Sequence, residues 1–217
     1  VLFGSALWYE EFQDWKAADL RALDTNGDDY HFGNGNDSSR DLVAFYSHDD
    51  GTNLYFRCDF FDLGYGVEDW DLDVYVAIDC VAGGADWLPN HTDVRWDHLW
   101  DVCVVVSNTV VGQVLNSSYV NQPGEYLGSY WRSDLDGVEF GLRRAFLQGL
   151  GWNGSSPLYL TAFTVRDGAA GEINGQASDI VDAIGTITRG SVSSNGWIYG
   201  GVLSSASAGR AKYAAIA

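Results

Sequence analysis

A chain of 217 residues and 23.7 kDa is long enough to bury a sizeable core, in one large domain or two small ones. Thirty acidic residues against twelve basic ones give a formal charge of −18, yet 46% apolar and 14% aromatic residues describe a packed globular chain, not an acidic disordered one. A field of that sign repels phosphate, and no Lys/Arg cluster relieves it, which argues against nucleic acid as a partner.

In chain order, Tyr9 to Ala22 has the apolar spacing of a short amphipathic helix. Period-two patterns rich in Val, Tyr, Phe and Ile and bounded by Gly, Asn or Asp predict strands at Asp41 to Tyr46, Asn53 to Phe61, Leu72 to Ile78, Val102 to Val106 and Leu158 to Val165. Between the first two, His48-Asp-Asp-Gly-Thr-Asn53 is a hairpin connection. Leu142 to Leu150 predicts one or two helical turns, and Ser178 to Ile184 a further helix with Ser178 and Asp179 as N-caps. Ser191 to Ala217 is rich in Gly, Ser and Ala but carries Trp197, Ile198, Tyr199, Val202 and Leu203, the pattern of a final strand or an assembly segment. No linker divides the chain. The expectation is therefore a single all-β domain over 1–217, an antiparallel, jelly-roll-like β-sandwich with a few short helices, in which 1–9 and 191–217 are terminal strands or assembly segments.

Methionine is absent, even at position 1, as expected of a processed product or a fragment. No apolar run is long enough for a membrane-spanning helix. Cys58, Cys80 and Cys103 all sit in strand-like contexts and read as buried thiols, with one disulfide plus one free thiol as the other arrangement. Sequons at Asn36, Asn90, Asn116 and Asn153 fall in turn-like sequence.

Asp24-Thr-Asn-Gly-Asp-Asp-Tyr30 is the densest polar cluster. Side-chain oxygens at every second position (Asp24, Asn26, Asp28) converge when a loop wraps a hard cation, so a Ca²⁺ site is expected there, against a solvated Asx-turn loop without an ion. It is not an EF-hand, because the glycine falls early at Gly27 and the twelfth position is Gly35. A second row, Asp69, Asp71 and Asp73, places carboxylates on one strand face, where a cation, an arginine or open water must relieve their repulsion. The histidines (His31, His48, His91, His98) are scattered, and no HExxH, GxSxG or P-loop pattern accompanies them, so no enzyme activity is expected. Nine tryptophans are many for this length, and Trp87, Trp96 and Trp100 crowd an otherwise polar, turn-like segment from Asp86 to Trp100. Flat indole faces match the apolar C–H faces of pyranose rings. Trp87, Trp96, Trp131 and Trp152, all in loop-like contexts, are the candidate sugar-contacting residues, with core packing as the competing role.

The succession Phe12-Gln-Asp-Trp15, Leu23-Asp-Thr-Asn-Gly-Asp-Asp29, Asp41-Leu-Val-Ala-Phe-Tyr46, Asp49-Asp-Gly-Thr-Asn-Leu-Tyr-Phe56 and Leu72-Asp-Val-Tyr-Val-Ala-Ile-Asp79 resembles the opening of family 9 carbohydrate-binding modules and of glucodextranase C-terminal-like modules of bacterial extracellular polysaccharide enzymes. Leu150-Gly-Trp-Asn-Gly-Ser155, Leu160-Thr-Ala-Phe-Thr-Val-Arg-Asp167 and Ser178-Asp-Ile-Val-Asp-Ala-Ile184 continue the resemblance downstream. It implies a secreted or cell-surface, non-catalytic β-sandwich that binds a polysaccharide or glycan, with Asp24, Asn26, Asp28 and Asp29 as a structural Ca²⁺ site. After Asp29 the match stops: Tyr30-His-Phe-Gly-Asn-Gly stands where a Gly-Pro-Gly-Tyr-like continuation belongs. The alternative, from another class, is a self-associating subunit of an extracellular filament or surface layer built from the same sandwich through its edge strands.

Overall fold

The computed structural model describes residues 14–24, 39–63, 72–89, 94–108, 111–166, 180–189 and 199–201. Asn26, Asp28, Asp29, Asp69, Asp71, segment 1–9 and all of 191–217 except 199–201 lie outside the described residues. The strands are β1 (Leu20–Leu23), β2 (Leu42–Asp49), β3 (Asn53–Phe60), β4 (Leu72–Asp79), β5 (Ala85–Trp87), β6 (Val94–Trp100) and β7 (Val102–Ser107). They continue with β8 (Gln113–Asn116), β9 (Tyr126–Arg132), β10 (Gly137–Arg143), β11 (Tyr159–Arg166), β12 (Ile180–Arg189) and β13 (Tyr199–Gly201); helix α1 (Arg144–Leu150) links β10 to β11. One sheet runs β1-β2-β3-β10-β9, the other β5-β6-β12-β11-β4-β7-β8 with β13 paired to β12, and every described pairing is antiparallel. The expected all-β sandwich is what forms.

The hydrophobic pattern explains which faces meet. On β3 and β10, Leu54, Phe56, Cys58, Phe60, Val138, Phe140 and Leu142 point into the space between the sheets, against Val74, Val76 and Ile78 of β4 and Val102, Val104 and Val106 of β7. The odd positions of the second sheet are buried too. Tyr75, Ala77, Cys103, Val105, Phe163 and Val165 form a second cluster with Trp96 and Trp100 of β6, so β4 and β7 are covered on both faces and read as near-continuous apolar runs. The hairpin at 48–53 forms as expected: Asp50 Oδ1 accepts from the N–H groups of Thr52 and Asn53, both at 2.7 Å, and Gly51 takes the positive φ of 87° that the turn requires.

Two expected helices do not form over their described residues. From Asp14 onward, the Tyr9 to Ala22 segment makes only the short 3-10 turn Ala17–Asp19 before entering β1, which pairs Leu20 with Tyr46 and Leu23 with Ala44. Local periodicity loses here to a tertiary anchor: Trp15 packs on Tyr46 with ring centroids 5.8 Å apart, and Arg21 bonds both the Oγ and the carbonyl of Ser47. The described part of Ser178 to Ile184 opens β12, with Ile184 paired to Ala162; Ser178 and Asp179 lie outside the described residues. Ile180, Val181, Ile184, Thr186, Ile187 and Thr188 are β-branched, which costs rotamer freedom in a helix and suits a pleated strand. The polar, turn-like segment from Asp86 to Trp100 is also extended over most of its described length, as β5 and β6. All three cysteines are free and buried, as expected of core thiols. Burial pushes the Cys80 thiol up to about 12 and those of Cys58 and Cys103 well above the ordinary range.

Candidate ligand-binding cleft

Strand β11 begins with alternating roles. Leu158 and Leu160 pack toward the inter-sheet core, while Tyr159 between them takes the opposite face and sits directly across from Asp79, the last residue of β4. Strand β6 supplies the third member: His98 lies midway between the buried Trp96 and Trp100. Its Nδ1 is 3.0 Å from Asp79 Oδ2, and its ring stacks on Tyr159 with centroids 4.1 Å apart at 18°. Trp96 supports the imidazole from a tilted position at 5.0 Å. Tyr159 is 50% exposed and Leu99 44% exposed, so the stack ends in an open aromatic face beside an aliphatic one.

Asp79, His98, Leu99 and Tyr159 line a cleft of about 510 Å³ together with Ser156, Pro157 and the loop from Cys80 to Gly83. Its floor is tied down by Asp101, whose Oδ2 accepts from the N–H groups of Cys80 and Val81 at 2.8 and 2.9 Å. The loop closes against β6 because residue 84 is glycine: it has φ of 105°, and a Cβ there would meet the carbonyl oxygens of Leu99 and Trp100 at 2.7 Å. Burial pushes the Asp79 carboxyl up; the His98 hydrogen bond opposes this shift and the charge of Asp101 adds to it. Burial and the charge of Asp101 also hold Cys80 protonated, the reverse of an activated nucleophile. What the cleft offers is a fixed aromatic face, one carboxylate and one imidazole, the means to hold a ring with one apolar side and a polar edge.

None of the four candidate tryptophans lines this cleft. Trp152 is 5% exposed and Trp96 is 7% exposed, so neither presents a face to a sugar. Trp152 is positioned by the end of α1: Gly151 adopts φ of 113°, its N–H bonds to Gln148 O, and the Trp152 N–H bonds to Leu147 O. The chain then turns the indole inward, where Nε1 donates to Ser156 O at 2.9 Å and the Arg144 guanidinium covers the ring at 4.9 Å. Trp152 instead borders a second cleft of about 330 Å³, floored by Leu54, Phe56 and Leu160 and rimmed by Arg21, His48 and Asp49. Trp131 belongs to β9, not to a loop, and is half-buried, stacked on Phe60 at 6.4 Å. Trp87, in β5, is half-buried, and its carbonyl accepts from the Tyr119 hydroxyl at 3.1 Å and from the Trp100 indole.

Of the expected calcium ligands only Asp24 is described. It is fully buried, its N–H bonding to Val43 O at 3.0 Å. Buried Asp182 accepts from Leu42 N at 2.7 Å, one residue before Val43 on β2. No group of three or more His, Cys, Asp or Glu with metal-holding geometry occurs among the described residues. In the Asp69, Asp71, Asp73 row, Asp73 is fully buried, which removes open water as its environment.

No protein-family model matches the chain, and no curated protein matches it. Among the described residues no helix is long and apolar enough to cross a membrane.

Proposed function

We propose that this chain is a secreted, non-catalytic carbohydrate-binding module stabilised by calcium, with its saccharide site in the cleft of Asp79, His98 and Tyr159. The observation that carries the reading is the half-exposed Tyr159 ring stacked on an imidazole that Asp79 holds in place. A pyranose lays its C–H face on such a ring, and its hydroxyls bond the carboxylate and imidazole. Because the stack and the hydrogen bond already fix these side chains, binding gives up little further rotamer freedom. A volume of about 510 Å³ lies within the ordinary range for small-ligand sites.

Titration with a panel of soluble oligosaccharides tests it. Wild type binds at least one, and Tyr159→Ala weakens that binding about tenfold or more, the loss of roughly 1.4 kcal/mol of stacking. A wild-type protein that binds no saccharide overturns the reading. For the calcium arm, Asp24 together with Asn26, Asp28 and Asp29 is the proposed site, supported by the recurrence of side-chain oxygens at every second position, Asp24, Asn26 and Asp28. Chelation then lowers the melting temperature through the linkage of binding to stability, and an unchanged melting curve removes the ion.

A further inference from the structure

Resting on that reading, we infer that the cleft selects a sugar carrying a protonated amine, a 2-amino-2-deoxy pyranose, over its N-acetylated and neutral counterparts. The electrostatics of the lining point there. Asp79 spends only one oxygen, Oδ2, on His98, and its side chain keeps 20% of its surface exposed, so the other oxygen is an acceptor for the ligand. Behind it Asp101 adds a second carboxylate, engaged by two backbone N–H groups but by no described cation. No Lys or Arg is among the described residues of the lining, and His98 is the one group there that can turn positive.

The rest of the molecule reinforces this sign. A formal charge of −18 repels uronate and sulfate units before they reach the cleft and attracts an ammonium. The open face of Tyr159 suits the same ligand: an aromatic face attracts a cation electrostatically while it packs against the ring carbons beside it. An N-acetyl group removes the charge and two of the three N–H donors, and sets a neutral amide against Asp79, so the discrimination is a charge-assisted hydrogen bond to that carboxylate.

The experiment compares three disaccharides with the same β-1,4-linked pyranose backbone, by calorimetric titration near pH 7. They are the glucosamine dimer, its N,N′-diacetyl form and cellobiose. The amine form binds on the order of tenfold tighter than the other two, and the gap narrows with added salt. Asp79→Asn keeps an acceptor for His98 but removes the charge, and it abolishes the preference. Asp62→Asn, which removes an exposed carboxylate outside the cleft, leaves the preference intact and so separates site selectivity from general attraction to an acidic protein. Equal or tighter binding of the acetylated or neutral dimer, or a preference that survives Asp79→Asn, overturns the inference and leaves the carbohydrate reading standing. Failure of every saccharide to bind overturns both.

Discussion

Trp152→Ala should lower the free energy of unfolding by about 3–5 kcal/mol, a loss that a surface sugar platform would not show. The side chain is 5% exposed and belongs to the main inter-sheet cluster, which also holds Leu147 and against which Leu158 and Leu160 pack. Truncation removes the large apolar area of the indole, strands the carbonyl of Ser156 that its Nε1 serves, and strips the Arg144 guanidinium of the ring beneath it. One effect moderates the cost. Trp152 already borders the 330 Å³ cleft, so the space left behind opens to water instead of forming a sealed void, which favours the lower half of the range. Urea denaturation of the two proteins measures it, and a difference below about 1 kcal/mol would return Trp152 to the surface role its sequence context suggested.

The contrast between Trp152 and Tyr159 shows what this sequence made legible and what it did not. Strands β2, β3, β4, β7 and β11 are visible because each carries its own alternating pattern between turn residues, and the β2–β3 turn announces itself in Asp50 and Gly51. Helix α1 is visible too, ending at Gly151. Strand β6 is hidden because its alternate positions His98 and Trp96 mix polar and apolar character, and β12 because a seven-residue window around Asp182 fits a helix start as well as a strand. Strand β9 has glycine and polar residues between its aromatics and no pattern of its own.

The site was harder still, because it exists only through register. Nothing local says that Asp79, at the end of one strand, lies opposite Tyr159, at the start of another, eighty residues later. What sequence does show is parity. Tyr159 shares a face with Phe163 and Val165, and Asp79 with Tyr75 and Ala77, so an exposed tyrosine and an acid at the ends of two otherwise buried rows mark where those rows reach solvent. Tryptophan counting missed this because large indoles are most often taken into the core, as Trp96, Trp100 and Trp152 are, and the smaller, amphipathic tyrosine is left at the rim.

The second large effect concerns pH. Glu139→Gln should flatten the dependence of stability on pH between about 4.5 and 7. Glu139 lies on β10 opposite Arg57 of β3 and Tyr130 of β9, only 2% exposed. The Trp15 indole donates to Oε1, while Oε2 has no hydrogen-bond partner. Arg57 cannot serve it fully, being held by Asp59 through Nε at 2.6 Å and Nη2 at 3.1 Å. Burial therefore dominates and pushes the carboxyl from 4.5 up to about 7; the Trp15 bond and the charge of Arg57 oppose the shift, and Asp14 and Asp59 add to it. The native state thus keeps a proton that the unfolded chain has lost, and across that interval stability falls as pH rises, by about 1.4 kcal/mol per unit and about 3 kcal/mol in all by pH 8. Below pH 4.5 both states hold the proton and the effect vanishes. Glutamine keeps an acceptor for Trp15 but puts an NH₂ in the unpartnered position, which costs about 1–3 kcal/mol at every pH. The signature is consequently the lost slope and not the absolute stability. Urea midpoints measured from pH 4 to 8 should fall for the parent and fall by clearly less for the variant, and parallel profiles would mean that Glu139 is ionised in the native protein throughout.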